Sequence, residues 1–284
     1  MNLLKGISLR SSFPFLALGI SFALLYYPVI LKLVHDWGVD DNYSHGYFIP
    51  FIAAYMVWQR KEELERVPKR GSLWGLILVS AGLAQFILAW AASVYFLQGT
   101  SMVVVLFGVV LFLWGSKLTK ILWIPIAYLA LMVPLPAILW NKIAFPMKLF
   151  ASKVAADVIQ TMGYTVLREG NILTLPNTVL EVADACSGLR SLTSLLALSA
   201  AIAYLAPMRS WKKWLLFFAA APIAVVSNVL RLIGTAVLAR HYGAGVAEGF
   251  LHTFSGWLVF ILGLVMLGGV YTLLRPSTND STTQ

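Results

Sequence analysis

Charged residues and cysteine are both scarce in this sequence. Only 12% of its 284 residues are charged and 60% are hydrophobic, a balance outside the range of soluble globular domains. The single cysteine excludes an internal disulfide, so packing between helices must stabilise the fold. Repeats and low-complexity tracts are also missing. What remains is the composition of an integral membrane protein.

Basic residues outnumber acidic ones, 21 to 12, which gives a formal net charge of +9. In a membrane protein such an excess is typical of cytoplasmic loops that lie beside anionic lipids. We therefore predict membrane lipids as surroundings and no nucleic-acid partner.

Long apolar runs divide the chain into candidate membrane spans of roughly 20 residues each. They predict an all-α polytopic membrane protein with about eight transmembrane helices. The second and fourth runs are short, so the count has an uncertainty of one. The runs cover residues 13–33, 47–59, 72–96, 100–115, 120–139, 191–207, 213–238 and 251–274.

The basic residues of the short loops predict the orientation. With eight crossings, all basic clusters fall on one side, whereas the loop HDWGVDDNYSHG has no lysine or arginine. Both termini are therefore predicted in the cytoplasm, and the segment 140–190 outside. The basic clusters are Lys5 and Arg10, RKEELERVPKR at 60–70, Lys117 and Lys120, Arg209, Lys212 and Lys213, and Arg275.

The long outward segment has two parts. Residues 140–163 space their apolar positions as an amphipathic helix at a membrane surface does. Residues 166–184 alternate short β-branched runs with Gly170 and a Pro176-Asn177 pair, which predicts a small β-hairpin. We expect one membrane-embedded domain over 1–275, with this insert at about 140–186, and a flexible cytoplasmic tail over 276–284.

The only cysteine, Cys186, lies in EVADACSGLRS. With Asp184 as N-cap of the sixth helix, Cys186 would fall in the first helical turn, where a thiolate is stabilised and becomes nucleophilic. Gly188 would leave room for a substrate backbone, and Arg190 would share the helical face of Cys186. The competing interpretation is that an isolated cysteine in a membrane protein is a small buried hydrophobic residue.

Two further residues, both energetically costly to place in a membrane, fall at the predicted membrane depth of Cys186. Arg231 interrupts an apolar span about 27 Å along the helix from Lys213, near the outer interface. His252 begins the last span from that same side. Taken singly, Arg231 would extend its guanidinium to the headgroups and His252 would be an interfacial aromatic residue. Ser227 and Asn228 would satisfy Arg231 or bridge helices.

Together these motifs resemble the exosortase/archaeosortase family. The resemblance is carried by ACSGLRS at 185–191, NVLR at 228–231 and His252, in this order and spacing. DNYSHGYFIPFIAAYMVWQR at 41–60 is similar to the family's amino-proximal Ser-His-Gly segment. The resemblance covers essentially the whole chain. Histidine at the third position, where the archaeal branch tends to have arginine, points to the bacterial branch.

The resemblance implies a membrane-embedded cysteine transpeptidase without a cofactor. Its partners would be membrane proteins that carry a C-terminal sorting signal: a Pro-Glu-Pro-type motif, a hydrophobic span and a basic tail. Carried over to this sequence, Cys186 would be the nucleophile, Arg231 its cationic partner and His252 the acid/base.

Substrate contacts are expected around this trio of residues. A carboxylate in the signal needs a cation, for which Arg190 is the first choice and Arg168, Lys142 and Arg240 are alternatives. The remaining expected substrate-binding residues are His45, Ser187, Gly188 and Asn228.

Other classes of function remain open on the sequence. A transporter or lipid flippase would use Arg231 as a substrate site and would not need Cys186. A scaffold for envelope assembly would need none of the three residues. A metal site from Cys186, His45 and His252 is disfavoured because no closely spaced ligand pair is present.

Overall fold

The computed structural model describes residues 9–176, 178–181, 188–242 and 250–275, and at 9–13, 15, 178, 181 and 250–255 the backbone alone. The described chain is mainly helical with one small sheet, which confirms the predicted fold class. Two 3-10 helices cover Asp41–Tyr47 and Leu129–Met132. The α-helices are α1 (Leu9–Val39), α2 (Ile49–Gln59), α3 (Lys61–Arg66), α4 (Trp74–Ala91), α5 (Tyr95–Tyr128), α6 (Ala137–Thr161), α7 (Leu189–Leu205), α8 (Ser210–Tyr242) and α9 (Phe250–Leu274).

Five helical stretches of the described chain are long and apolar enough to cross a membrane. Helices α2 and α7, at 11 and 17 residues, also lie on predicted spans but are shorter than a full crossing. The remaining difference from eight arises because one stretch, which begins with α5, includes the fourth apolar run and most of the fifth. The five stretches are Leu16–Val39, Trp74–Ala91, Tyr95–Met132, Ser210–Tyr242 and Gly256–Leu274.

Helix α5 is interrupted at Gly115, whose φ of 79° is left-handed. A Cβ at Gly99, near the start of α5, would lie 3.5 Å from the Cβ of Val133, just beyond its end. In a continuous helix these two residues would be about 50 Å apart, so the chain doubles back at Gly115. The boundary predicted between the fourth and fifth spans is therefore a reversal of direction.

The first compact unit comprises Met1–Asp40 and Glu62–Pro134. Helix α4 packs against the first half of α5 at backbone distance, because a Cβ at Gly75 would lie 2.2 Å from the Phe112 nitrogen. Helix α1 is tied to the same bundle by a hydrogen bond of 2.8 Å from Trp37 Nε1 to the Met132 carbonyl. Glycine contacts and buried polar bridges of this kind are typical of helix packing in membranes.

The second compact unit comprises Asp41–Lys61 and Leu135–Gln284, and α8 is its central helix. The first half of α8 packs on α7 and α9 through Ala220 and Ala224, both with 0% exposure, which lets the helices approach closely. Its second half packs on α6 and on the sheet through Val229 and Leu232. Residues 227–231 thus lie where the two cores of this unit meet.

The sheet has three antiparallel strands, one more than the predicted hairpin: β1 (Leu167–Glu169), β2 (Ile172–Leu175) and β3 (Thr178–Glu181). Its first turn contains Gly170 at a φ of 65°, and the second contains Pro176. Strand β2 buries Leu173 and Leu175 in the core shared with α6 and α8, as its period of two requires. The two turn signals in the sequence therefore separate three strands.

Helix α6 coincides with the predicted amphipathic helix. One face buries small residues such as Ala151 and Ala155 against the rest of the unit. Large apolar side chains are exposed on the remainder of its surface, among them Phe145 and Phe150 at 57% and 56%. A helix with this distribution suits a position at a membrane surface.

The reversal at Gly115 predicts a specific cross-link. In a Cys186→Ser background, we expect Gly99→Cys combined with Val133→Cys to form an intramolecular disulfide on mild oxidation. A Cβ separation of 3.5 Å matches disulfide geometry, and the substitution also removes the Val133 methyl groups nearest to Gly99. A mobility shift on non-reducing gels that is reversed by reductant would report it.

Gly99→Cys paired with Lys117→Cys is the matched control, because Lys117 directly follows the turn at the other end of the hairpin. That pair should remain reduced within a single chain. Equal cross-linking of both pairs, or of neither, would contradict the hairpin.

Candidate active site

Helix α8 carries the polar turn around which the candidate site is built. Asn228 is 2% exposed, and Arg231, one turn further on, is half-buried. About 27 Å of helix separates Arg231 from Lys213, which donates a hydrogen bond of 3.2 Å to the Tyr204 carbonyl. Arg231 is thus a cation one membrane thickness away from the basic end of the same helix.

The amino end of α7 lies directly against this turn. Gly188 is the N-cap of α7, with a left-handed φ of 79°. A Cβ at Gly188 would lie 2.9 Å from the Asn228 Cβ and 3.2 Å from its Nδ2. Only glycine permits both this conformation and this approach.

Helix α9 reaches the same turn of α8. A Cβ at Gly256 would lie 4.0 Å from Nη2 of Arg231. His252 is in the first turn of α9, four residues before Gly256, which is about one helical turn. One turn of α8 therefore contacts the start of α7 through Asn228 and the first part of α9 through Arg231.

A fourth element, the 3-10 helix 41–47, docks on the start of α7. Arg190 forms a short ion pair with Asp41, and the Thr193 hydroxyl donates to the Asn42 carbonyl at 3.2 Å. The two ion-paired side chains are 45% and 71% exposed, so this is a surface contact rather than a buried one.

His45 lies in this 3-10 helix and is half-buried. Its ring is 6.4 Å from the ring of Tyr43, which packs at 5.3 Å on Trp140 of α6. The Tyr43 hydroxyl also accepts a hydrogen bond from the Leu135 amide at 3.1 Å. Segment 41–47 is thus held between the starts of α6 and α7, and it brings His45 to the side of the unit where Gly188 lies.

The structure corrects the predicted start of the sixth apolar helix. Helix α7 begins at Leu189 with Gly188 as its N-cap, so Asp184 is not its cap and Cys186 precedes the helix. The reason is the left-handed backbone of Gly188, through which an α-helix cannot continue. Cys186 and Ser187 lie outside the described residues, as does the side chain of His252.

The alternative cations are spread over the surface. Arg168 donates to the Gly170 carbonyl at 2.9 Å within the β1–β2 turn. Lys142 is exposed on α6, and Arg240 is exposed about two and a half turns beyond Arg231. Of the cations proposed to bind a carboxylate, only Arg190 lies close to Gly188 along the chain, at the start of α7.

Asp41 received no role from the sequence, although it contacts Arg190 across 149 positions. The sequence feature that could have pointed to Asp41 is its position in a loop without lysine or arginine, at the start of the DNYSHG segment. A partner so distant along the chain is visible only after folding.

These features define a polytopic membrane protein with a polar site where its helices converge. The chain belongs to the transmembrane exosortase family (Exosortase_EpsH), whose sequence model matches residues 37–269. Every candidate site residue from His45 to His252 lies within that range. Neither curated proteins nor solved structures gave a match.

The contact between Gly188 and Asn228 predicts a measurable strain. We expect Gly188→Ala to lower the thermal unfolding temperature more than Gly163→Ala. Both glycines have a left-handed φ, 79° and 85°, which costs an alanine about 1–2 kcal/mol. Only position 188 adds a collision, since nothing lies within 4 Å of a Cβ at Gly163.

The measurement is thermal unfolding of both variants in one detergent. An equal decrease for the two substitutions would contradict the packing of Asn228 against Gly188.

Proposed function

We propose that this exosortase is a cysteine-dependent peptidase and transpeptidase. It cleaves membrane proteins at a C-terminal sorting signal, composed of a Pro-Glu-Pro-type motif, a transmembrane helix and a basic tail. The cleaved protein is held as a thioester on Cys186 and then passes to an acceptor. The observation that carries the proposal is the contact of one turn of α8 with both Gly188 and Gly256.

Chain connectivity supports Cys186 as the nucleophile at this turn. Only Ser187 lies between it and Gly188, so the Cα atoms of Cys186 and Gly188 lie within about 7 Å of each other. Positions 252 and 256 are four residues apart on α9 and so share one face of the helix. Sulfur, guanidinium and imidazole would then meet at one end of the second unit.

The proposed chemistry uses each of the three groups. His252 takes the Cys186 proton, and the thiolate adds to the scissile carbonyl carbon while the carbonyl electron pair moves to oxygen. Collapse of the oxyanion re-forms the carbonyl, breaks the C–N bond and releases the amine with the proton from His252. The acyl group remains on Cys186 as a thioester, and Arg231 stabilises the anionic species in water-poor surroundings.

Release of the thioester repeats these steps with an acceptor. His252 removes a proton from the attacking amine, hydroxyl or water, and the Cys186 thiolate leaves. A lipid headgroup, another amine or water satisfies this chemistry equally. The acceptor therefore decides between sorting and plain proteolysis.

The charges of the second unit favour a site on the extracytoplasmic face of the inner membrane. Arg60 stacks over the Tyr204 ring at 5.4 Å, and Lys212 and Lys213 donate to the Leu274 and Tyr204 carbonyls. These basic groups mark the cytoplasmic end by the positive-inside rule, and the candidate site lies at the opposite end. Both chain termini would then be cytoplasmic, and a sorting signal would enter sideways from the bilayer.

The first test is processing of a reporter. A secreted domain followed by the sorting signal and a C-terminal epitope tag is co-expressed with the full chain, and loss of the tag is followed. We expect Cys186→Ala to slow processing at least about 10³-fold. Arg231→Gln and His252→Gln should slow it about 10²–10³-fold. Gly268→Ala, which meets nothing within 4 Å, is the control.

Reporter cleavage at the wild-type rate in Cys186→Ala would refute the cysteine transpeptidase, and the absence of cleavage by the wild-type chain would favour a transporter or scaffold. A covalent reporter adduct on Cys186 that hydroxylamine releases would establish the thioester.

The role of Arg190 can be separated from that of its ion pair with Asp41. If Arg190 binds the substrate carboxylate, the signal must displace Asp41, since both compete for one guanidinium. Arg190→Gln should then slow processing about tenfold or more. Asp41→Asn, which leaves the cation in place, should keep the rate within about threefold of wild type or raise it.

Both variants are compared in the reporter assay at matched protein levels. Equal losses in the two would show that the ion pair only docks segment 41–47 on α7.

A further inference from the structure

Asn228 is a buried amide without a polar partner in the part of the second unit that the structure describes. It is 2% exposed, and neither its Oδ1 nor its Nδ2 has a hydrogen-bond partner among the described residues. A buried amide without partners lowers stability, and most such groups in proteins are satisfied. Its position therefore needs an explanation other than packing.

The surroundings of this amide point to a ligand rather than to another helix. Its Cβ, Cγ and Nδ2 face Gly188, the residue that follows the Cys186-Ser187 pair. Because Gly188 has no side chain, the amide packs directly against the backbone at the start of α7, and a Cβ there would lie 3.2 Å from Nδ2. Asn228 therefore lies on the nucleophile side of the α8 turn.

Arg231 occupies the other side of the same turn. Its Nη2 lies against Gly256, toward the helix that carries His252. The two polar groups of α8 are thus divided between two neighbours, the neutral amide at the start of α7 and the cation at α9. Because Asn228 and Arg231 face different neighbours, we assign the amide and the cation different roles.

We infer that Asn228 is a catalytic residue: its side-chain N–H donates a hydrogen bond to the oxygen of the scissile carbonyl and of the oxyanion formed from it. This inference rests on the proposed function. Addition of the Cys186 thiolate moves the carbonyl electron pair to that oxygen, and collapse returns it as the amine leaves. A fixed neutral donor stabilises the oxyanion without reorganisation, and the charge of Arg231 serves the thiolate.

The decisive experiment measures rate and stability on the same purified full chain in detergent. Asn228→Leu keeps the approximate size and removes both polar atoms, and Asn228→Ala removes the amide. We expect kcat for reporter cleavage to fall about 10²–10³-fold in both. KM should stay within about threefold, and the unfolding temperature of Asn228→Leu should not fall, because the amide contributes no hydrogen bond to the resting fold.

Ser227→Ala is the matched control. Ser227 is the adjacent residue of α8, with 0% exposure and a 3.8 Å contact from its hydroxyl to Sδ of Met266. Its kcat should remain within about threefold of wild type.

Each contrary outcome identifies what has failed. A wild type that cleaves no reporter, or cleaves it without Cys186, overturns the proposed function and this inference with it. Cysteine-dependent cleavage with an unchanged kcat in Asn228→Leu overturns the inference alone. Lower unfolding temperatures in both Asn228 variants, with a normal rate per folded molecule, would make Asn228 a structural residue.

Discussion

The second compact unit depends on one constraint, the presence of polar side chains in the middle of an apolar packing surface. Helix α8 is long enough to cross a bilayer, yet it buries Asn228 and half-buries Arg231 within one turn. Polar groups at such positions are costly, and proteins retain them where they serve a function. Its neighbours are arranged around this turn, with α7 against Asn228 and α9 against Arg231. Strand β2 and helix α6 pack against the same stretch of α8 through Val229 and Leu232.

Glycine makes the closest contacts in both compact units. Gly75 allows α4 to meet α5 at the backbone, and Gly115 allows α5 to reverse. Gly188, the N-cap of α7, has a backbone conformation that an L-residue rarely adopts, and it lets Asn228 pack against the backbone at the start of α7. Since lipid supplies no hydrophobic drive for helices to associate, close approach of small residues has to provide the packing.

Several features could be predicted because they depend on local sequence. The apolar runs gave the helices, and β-branched residues with turn signals gave the sheet, although the two signals at Gly170 and Pro176 separate three strands instead of two. The position of the α7 cap could not be predicted, since Asp184 is a good cap residue by type and only the left-handed φ of Gly188 excludes it. The pairing of Arg190 with Asp41 was equally hidden, because a contact across 149 positions leaves no local pattern. Catalytic roles for Cys186, Arg231 and His252 remain predictions.

The sequence alone determined that this chain is a helical membrane protein and where its costly residues lie along each helix, because bilayer thickness and helical rise convert position into depth. Depth does not determine which helices are neighbours. Only the tertiary structure decided that α7 and α9 meet the same turn of α8, that α5 folds back on itself and that Asp41 reaches Arg190. These tertiary contacts depend on side-chain shape and on backbone conformation at single residues such as Gly115 and Gly188. Neither property can be read from composition or from hydrophobic periodicity.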